Sequence, residues 1–212
     1  MDNLSEFRTQ IRSTIHDNVT ASDNQVTDDE VDQFITEAVN EYSKLFPRKM
    51  VKDITSAASQ YDYDLPDDWD VNFSYIYSLE FPQGKQNAVF YEKDDYTVYN
   101  DEKLRFLKNT PGSAETIRLV YFIPHSVGES ASSIPSINEH SVSNYAAALC
   151  LEKLANKFAK TDNPSANMQF IDYQNKSDIY AKRARELKKL ALDSWGSGDK
   201  KSQSGWASWD WI

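Results

Sequence analysis

The sequence predicts an α+β protein: a four-helix bundle built from N- and C-terminal helix pairs, an inserted small antiparallel β domain, and an extended C-terminal arm. Three observations predict it. Apolar residues recur at helical steps before residue 50 and after residue 135. Between 71 and 122 they alternate at strand spacing, and the last seventeen residues are rich in glycine, serine and tryptophan. The expected boundaries are 1–49 for the first helix pair, 50–125 for the β domain, 126–195 for the second pair and 196–212 for the arm.

The first helix is expected near 3–17, where Leu4, Phe7, Ile11 and Ile15 fall three and four residues apart. The second has a marked start. Thr27-Asp28-Asp29-Glu30 is a capping box, flanked by Val26 and Val31 at the staple positions. Its three acids suit the helix dipole. Val31, Phe34, Ile35, Ala38, Val39, Tyr42 and Leu45 then trace one stripe until Pro47 ends it.

From Val71 to Phe81 the period drops to two, and Pro82-Gln83-Gly84 supplies a turn. Ala88–Tyr91, Tyr96–Tyr99, Leu104–Leu107 and Thr116–Phe122 follow as short strands, so the β domain should hold five or six. Tyrosine and phenylalanine concentrate here, as a small sheet favours. Ser136 with Glu139 offers a second capping box for a helix to about 160. The last helix, near 166–194, shows a narrow stripe at Tyr173, Ser177, Tyr180, Ala184, Leu187 and Ala191. Neither pair has enough apolar face to stand alone, which is why the two are expected to dock into one bundle.

Composition narrows the function. The chain has 212 residues, 33 acids, 23 bases and one cysteine, for a net charge of −10. That balance argues against a protein that coats nucleic acid by neutralising phosphates. One cysteine excludes an internal disulfide framework and a multi-cysteine zinc site. There is no apolar run long enough for a membrane span. The first residues, Met1–Glu6, lack the profile of a secretory signal, so synthesis in a reducing cytoplasm is expected. Charge is polarised: only 164–212 is basic, with six acids against eight bases. Lys182, Arg183, Arg185, Lys188 and Lys189 make its basic patch, a solvated helix face first, a contact for an acidic neighbour second, and a DNA contact third because the rest of the chain repels phosphate.

No catalytic, cofactor or metal signature occurs. His16, His125 and His140 share no ligand or triad spacing. The acid cluster Asp62, Asp64, Asp67, Asp68, Asp70 is interrupted by Pro66 and has Phe73 where a calcium loop needs a glutamate. It reads as a solvated loop or a weak cation site. Cys150, within Leu149-Cys150-Leu151, reads as a small buried apolar residue. The arm is the exceptional segment. Gly196–Gly205 has linker composition and leads to Trp206-Ala207-Ser208-Trp209-Asp210-Trp211-Ile212. Four of five tryptophans lie in the last eighteen residues. Trp195, Trp206, Trp209, Trp211 and Ile212 are therefore the candidate partner-binding end, since indoles dominate such anchors.

Several phrases in order carry a resemblance. They are the capped acidic helix ending at Phe46-Pro47, then Tyr61-Asp62-Tyr63-Asp64-Leu65-Pro66-Asp67-Asp68-Trp69, Leu79–Gly84, Leu104-Arg105-Phe106, Ile117–Tyr121, Ser133-Ile134-Pro135 and Asn144–Ala155. Over roughly 1–195 the chain resembles the head-to-tail adaptor (connector) proteins of tailed bacteriophages. The resemblance implies a structural virion-neck protein without enzymatic activity or cofactor. It implies a homo-oligomeric ring of twelve that docks on the portal protein, with the C-terminal segment as the portal anchor. It also implies a stopper or tail protein on the far side, and DNA passing through the channel without sequence-specific binding. Two other classes remain open from the residues: a carbohydrate-binding module using the aromatic β domain, and a cell-wall hydrolase with Asp67 or Asp70 and Glu80 as its carboxylates.

Overall fold

The computed structural model describes residues 3–16, 25–84, 86–100, 102–108, 112, 114–160 and 173–206, with the backbone alone at 173–175 and 197–206. Four helices and two small antiparallel sheets make it α+β. The chain divides into two compact units, Met1–Leu45 with His125–Ile212, and Phe46–Pro124.

The helical unit contains α1 (Leu4–Ile15), α2 (Asp28–Leu45), α3 (Ser136–Lys160) and α4 (Tyr173–Trp206). Asn3 caps α1 by accepting the Glu6 N–H at 3.0 Å, and His16 closes it in the left-handed region at φ 58°. The capping box of α2 forms in both directions: Glu30 Oε2 accepts the Thr27 N–H at 3.0 Å and Thr27 Oγ1 accepts the Glu30 N–H at 3.4 Å. Val26 and Val31 are both fully buried. Arg12 ties the two helices together, donating to the Val26 carbonyl at 3.1 Å and to Asp28 at 2.5 Å.

α3 is the central element. From Ser141 to Leu151 nearly every side chain is buried, including Cys150, because α1, α2 and α4 all pack on it. The small residues Ala146, Ala147 and Ala148 let its neighbours approach. α4 lies along α3 through Ser177, which donates to the Ala155 carbonyl at 2.9 Å, and through Tyr180, stacked on Phe158 at 5.5 Å. Further along, Ala184 and Ala191 are fully buried.

The β unit holds β1 (Arg48–Thr55), β2 (Asp62–Asp64), β3 (Tyr75–Glu80), β4 (Tyr96–Tyr99), β5 (Lys103–Phe106) and β6 (Thr116–Ile123). They form two three-stranded sheets, ordered β1-β6-β3 and β2-β5-β4. Central β6 alternates strictly, with Ile117, Leu119, Tyr121 and Ile123 inward. These meet Leu79, Leu104, Phe106, Tyr63 and Leu65 in one core.

Strand boundaries differ from the sequence reading in four places. β1 and β2 were not expected. β1 is an edge strand that turns only Met50 and Ile54 toward the core, so its apolar signal is weak. Residues 71–74 are not strand, because Asp70 accepts the Asn72 N–H at 2.8 Å and Ser74 Oγ accepts the Asp70 N–H at 2.9 Å, folding the segment into a turn. Residues 88–91 reduce to a single bridge, Phe90 with Glu80. The turn after β3 is as expected, with Gly84 at φ 80° where a side chain would be strained.

Candidate partner-binding site

Trp195 departs from its expected role. It is 2% exposed, and its ring stacks on Tyr145 at 5.3 Å and tilts against Tyr42 at 5.7 Å. Its indole N–H donates to Ser141 Oγ at 2.8 Å. The rest of this nest is equally committed. Asn138 Nδ2 donates to Tyr42 Oη at 2.7 Å, and the Tyr42 ring lies 5.3 Å from that of His125. The His125 backbone N–H donates to Ser43 Oγ at 2.9 Å, and its Nδ1 lies 2.8 Å from the Ser133 carbonyl. Burial pushes the Tyr42 phenol above its ordinary range, with the Asn138 bond opposing. Trp195 is thus a core residue that fastens α4 to α3, and it is no longer an anchor candidate. The signal for this was present: Ala184, Ala191 and Trp195 continue one stripe in steps of seven and four.

α4 extends to Trp206, past the end expected near 194 and through the 196–205 stretch of linker composition. Once a helix is nucleated over its packed stretch, each further residue adds one hydrogen bond at small cost, and this offsets isolated glycines. Trp206 is the last residue of that helix. Trp209, Trp211 and Ile212 lie outside the described residues.

The basic patch separates into two groups. Arg183 donates to the Thr14 carbonyl at 2.6 Å and approaches His16 Nε2 at 3.3 Å, satisfying the C-terminal end of α1. Lys188 bonds Glu152 at 3.4 Å and sits 5.2 Å above the Tyr145 ring. Burial would lower its pKa, but the Glu152 carboxylate outweighs this and raises it. Lys182, Arg185 and Lys189 are exposed on α4, where Asp178, Glu186 and Asp193 share the exposed surface. The outer face of α4 is therefore of mixed sign.

In the β unit the acid cluster is occupied with internal contacts. Asp62 takes a two-point bond from Arg105 at 2.6 and 2.8 Å, which holds its carboxyl below the usual range. Lys103 bonds Asp64 at 2.5 Å, and Tyr121 Oη donates to Asp68 at 2.6 Å. Among the described residues, no group of three or more His, Cys, Asp or Glu could hold a metal ion. A cleft of about 350 Å³ is lined by Trp69, Val71, Tyr75, Ile76, Tyr96 and Lys93. The outer face of the first sheet displays Val51, Tyr75 and Tyr77, all half exposed or more. No helix among the described residues is long and apolar enough to cross a membrane.

The described chain is thus one unit of cohesive helices and one β unit with aromatic side chains at its surface. Comparison with known proteins places it in a family. The profile of the SU10 adaptor protein family matches residues 2–200, and the chain belongs to that family. This is the head-to-tail adaptor resemblance read from the sequence. Two solved structures share low similarity, each aligning 84% of this chain with 87% of the other at a TM-score of 0.33. One is the neck of an empty gene transfer agent particle computed with C6 symmetry, 11% identical, and the other the virion of a native gene transfer agent particle, 12% identical. A TM-score of that size carries no argument about this chain. Among curated proteins none matches.

Proposed function

We propose that the protein is a structural adaptor of a phage virion neck, assembling as a ring on the portal protein and joining head to tail or stopper around the DNA channel. The observation that carries the reading is membership of the SU10 adaptor family across residues 2–200. The composition of the terminus supports the anchor: Trp206 ends α4 and Trp209, Trp211 and Ile212 follow it, eleven residues and more beyond the buried Trp195. Each indole that leaves water on docking contributes about 2–3 kcal/mol. Repetition around a ring, twelve copies by resemblance, multiplies weak contacts into avidity. The net charge of −10 per copy disfavours adhesion of passing DNA. Mechanism here is oriented docking, with no bond made or broken. Lys182, Arg185 and Lys189 remain available for an acidic neighbour, whereas Arg183 and Lys188 serve the fold.

The test is binding of the full chain to purified portal rings, beside a chain truncated after Trp206 and the triple variant Trp206→Ala/Trp209→Ala/Trp211→Ala. The expected outcome is a loss of affinity of at least about a hundredfold in both variants with unchanged helical content. Wild-type affinity in both overturns the anchor. A second reading, saccharide binding, is favoured only by the aromatic cleft at Trp69, Tyr75 and Tyr96. Glycan-array binding by the full chain, lost in Trp69→Ala, is what it would require.

A further inference from the structure

The β unit has two strand edges of opposite net charge. β1 is hydrogen-bonded to β6 alone and lies at the end of its sheet. Eight residues at about 3.3 Å each give it an open edge of about 26 Å. Arg48, Lys49 and Lys52 are exposed on it, and none is in an ion pair among the described residues, though the Lys49 ammonium lies 4.7 Å above the Tyr77 ring. The one acid, Asp53, is neutralised by a two-point bond from Arg118 at 2.8 and 2.9 Å. Lysines on an edge strand commonly guard it against stray pairing. A guard alone does not explain Val51, 54% exposed in the middle of the strand, which with Val120 opposite it on β6 offers apolar area to a strand lying along β1.

β4 is the complementary edge. It pairs only with β5 at the end of the second sheet. Acidic turns bracket it on both sides. In one, the Asp95 N–H donates to the Glu92 carbonyl at 3.0 Å and the Asp95 carboxylate accepts the Glu92 N–H at 3.2 Å. In the other, Asn100 adopts φ 51° and the Glu102 N–H donates to the Tyr99 carbonyl at 3.3 Å. Asp95 pairs with Lys108, but Glu92, Asp94 and Glu102 are exposed and in no ion pair among the described residues, and with Lys93 exposed between the first two the edge stays net acidic.

We infer that β1 of one copy takes β4 of a second copy as an added strand, with Arg48, Lys49 and Lys52 facing Glu92, Asp94 and Glu102 across the junction. Edge-to-edge addition supplies main-chain hydrogen bonds, and the charges select the pairing. Two β1 edges meeting, or two β4 edges, would oppose like charges. The contact is therefore head-to-tail, the kind that repeats into a closed ring when the rotation permits. The inference deepens the assembly part of the proposed function and is independent of the tail anchor.

The experiment measures self-association of the full-length chain by sedimentation velocity and native mass spectrometry. Two triple variants are compared, Arg48→Glu/Lys49→Glu/Lys52→Glu and Glu92→Lys/Asp94→Lys/Glu102→Lys. Each alone should associate at least about tenfold more weakly than wild type. Mixed in equal amounts they restore opposite charge at every junction, and association should return to within about threefold of wild type. That recovery also shows that both variants fold. The inference is overturned by any of three results: either triple associating like wild type, a mixture that does not recover, or a wild-type chain monomeric up to about 100 µM. The chain truncated after Trp206 should self-associate normally. If it alone loses association, the tail is the copy-to-copy contact and the inference fails, while portal binding is judged by its own assay.

Discussion

The helical unit and the β unit treat their aromatic side chains in opposite ways. In the helical unit Tyr42, Tyr145 and Trp195 are buried against one another and hydrogen-bonded, and α3 is surrounded on nearly all sides. In the β unit Tyr63, Phe106 and Tyr121 form the core, yet Tyr61, Tyr75, Tyr77, Phe90 and Tyr99 are exposed. A helix collects its apolar residues on one stripe and gives the rest to water. A strand sends alternate residues to both faces, so a sheet covered on one side displays what the sequence places on the other. Aromatic side chains buried in the helices hold that unit together; those at the sheet surface add little to its stability and are open to partners.

Substitutions at matched aromatics test this contrast. Trp195→Ala should cost about 3–5 kcal/mol of helical-unit stability, since it opens a large cavity and removes the indole donor from Ser141 Oγ, which keeps only its own bond to the Asn138 carbonyl. Chemical denaturation followed by far-ultraviolet circular dichroism reads it. A cost under about 1 kcal/mol would mean that the nest is not cohesive. Arg12→Ala comes next, at about 2 kcal/mol, because it removes a buried donor from the Val26 carbonyl and from Asp28. Its loss should loosen α1 first, seen as faster amide exchange over 4–15.

Acid acts on the same unit through Glu30. Lys153 bonds its carboxylate and the Thr27 N–H adds to this, so the folded pKa lies below the ordinary 4.5. A depressed folded value means that the contribution is complete above the unfolded pKa and disappears as pH falls through the folded one. Glu30→Gln should therefore reduce stability near neutrality and shrink the wild-type loss below pH 4.5. Denaturation midpoints across that range check it, and parallel curves for both chains would refute it. The smallest effect belongs to the β unit. Tyr77→Ala, at a residue 58% exposed that meets Phe122 edge to face at 5.5 Å and Lys49 at 4.7 Å, should cost no more than about 1 kcal/mol. A loss comparable with Trp195→Ala would erase the distinction between the units.

Much of the architecture was legible in the residues, and what was hidden has identifiable causes. α2 announced itself through Thr27 and Glu30, which bond reciprocally as the spacing implies. β4 and β6 follow their alternating patterns closely. β1 was silent because an edge strand with Arg48, Lys49, Lys52 and Asp53 outward needs only Met50 and Ile54 to hold its place. The stretch before β3 misled because local bonds of Asp70 and Ser74 outcompeted its alternation. At the candidate site, grouping tryptophans by nearness to the end hid that Trp195 continues the Ala184–Ala191 stripe. The basic patch likewise hid its divided roles, since a run of cations carries no record of which ones find carbonyls or carboxylates in space.

The anchor reading is tested most directly by hydrogen exchange on the full-length protein with and without portal rings. Binding should slow exchange over 206–212 while the amides around Trp195, already protected by the core, change little. Portal binding that leaves 206–212 exchanging as in the free chain, and protects another segment instead, would contradict it.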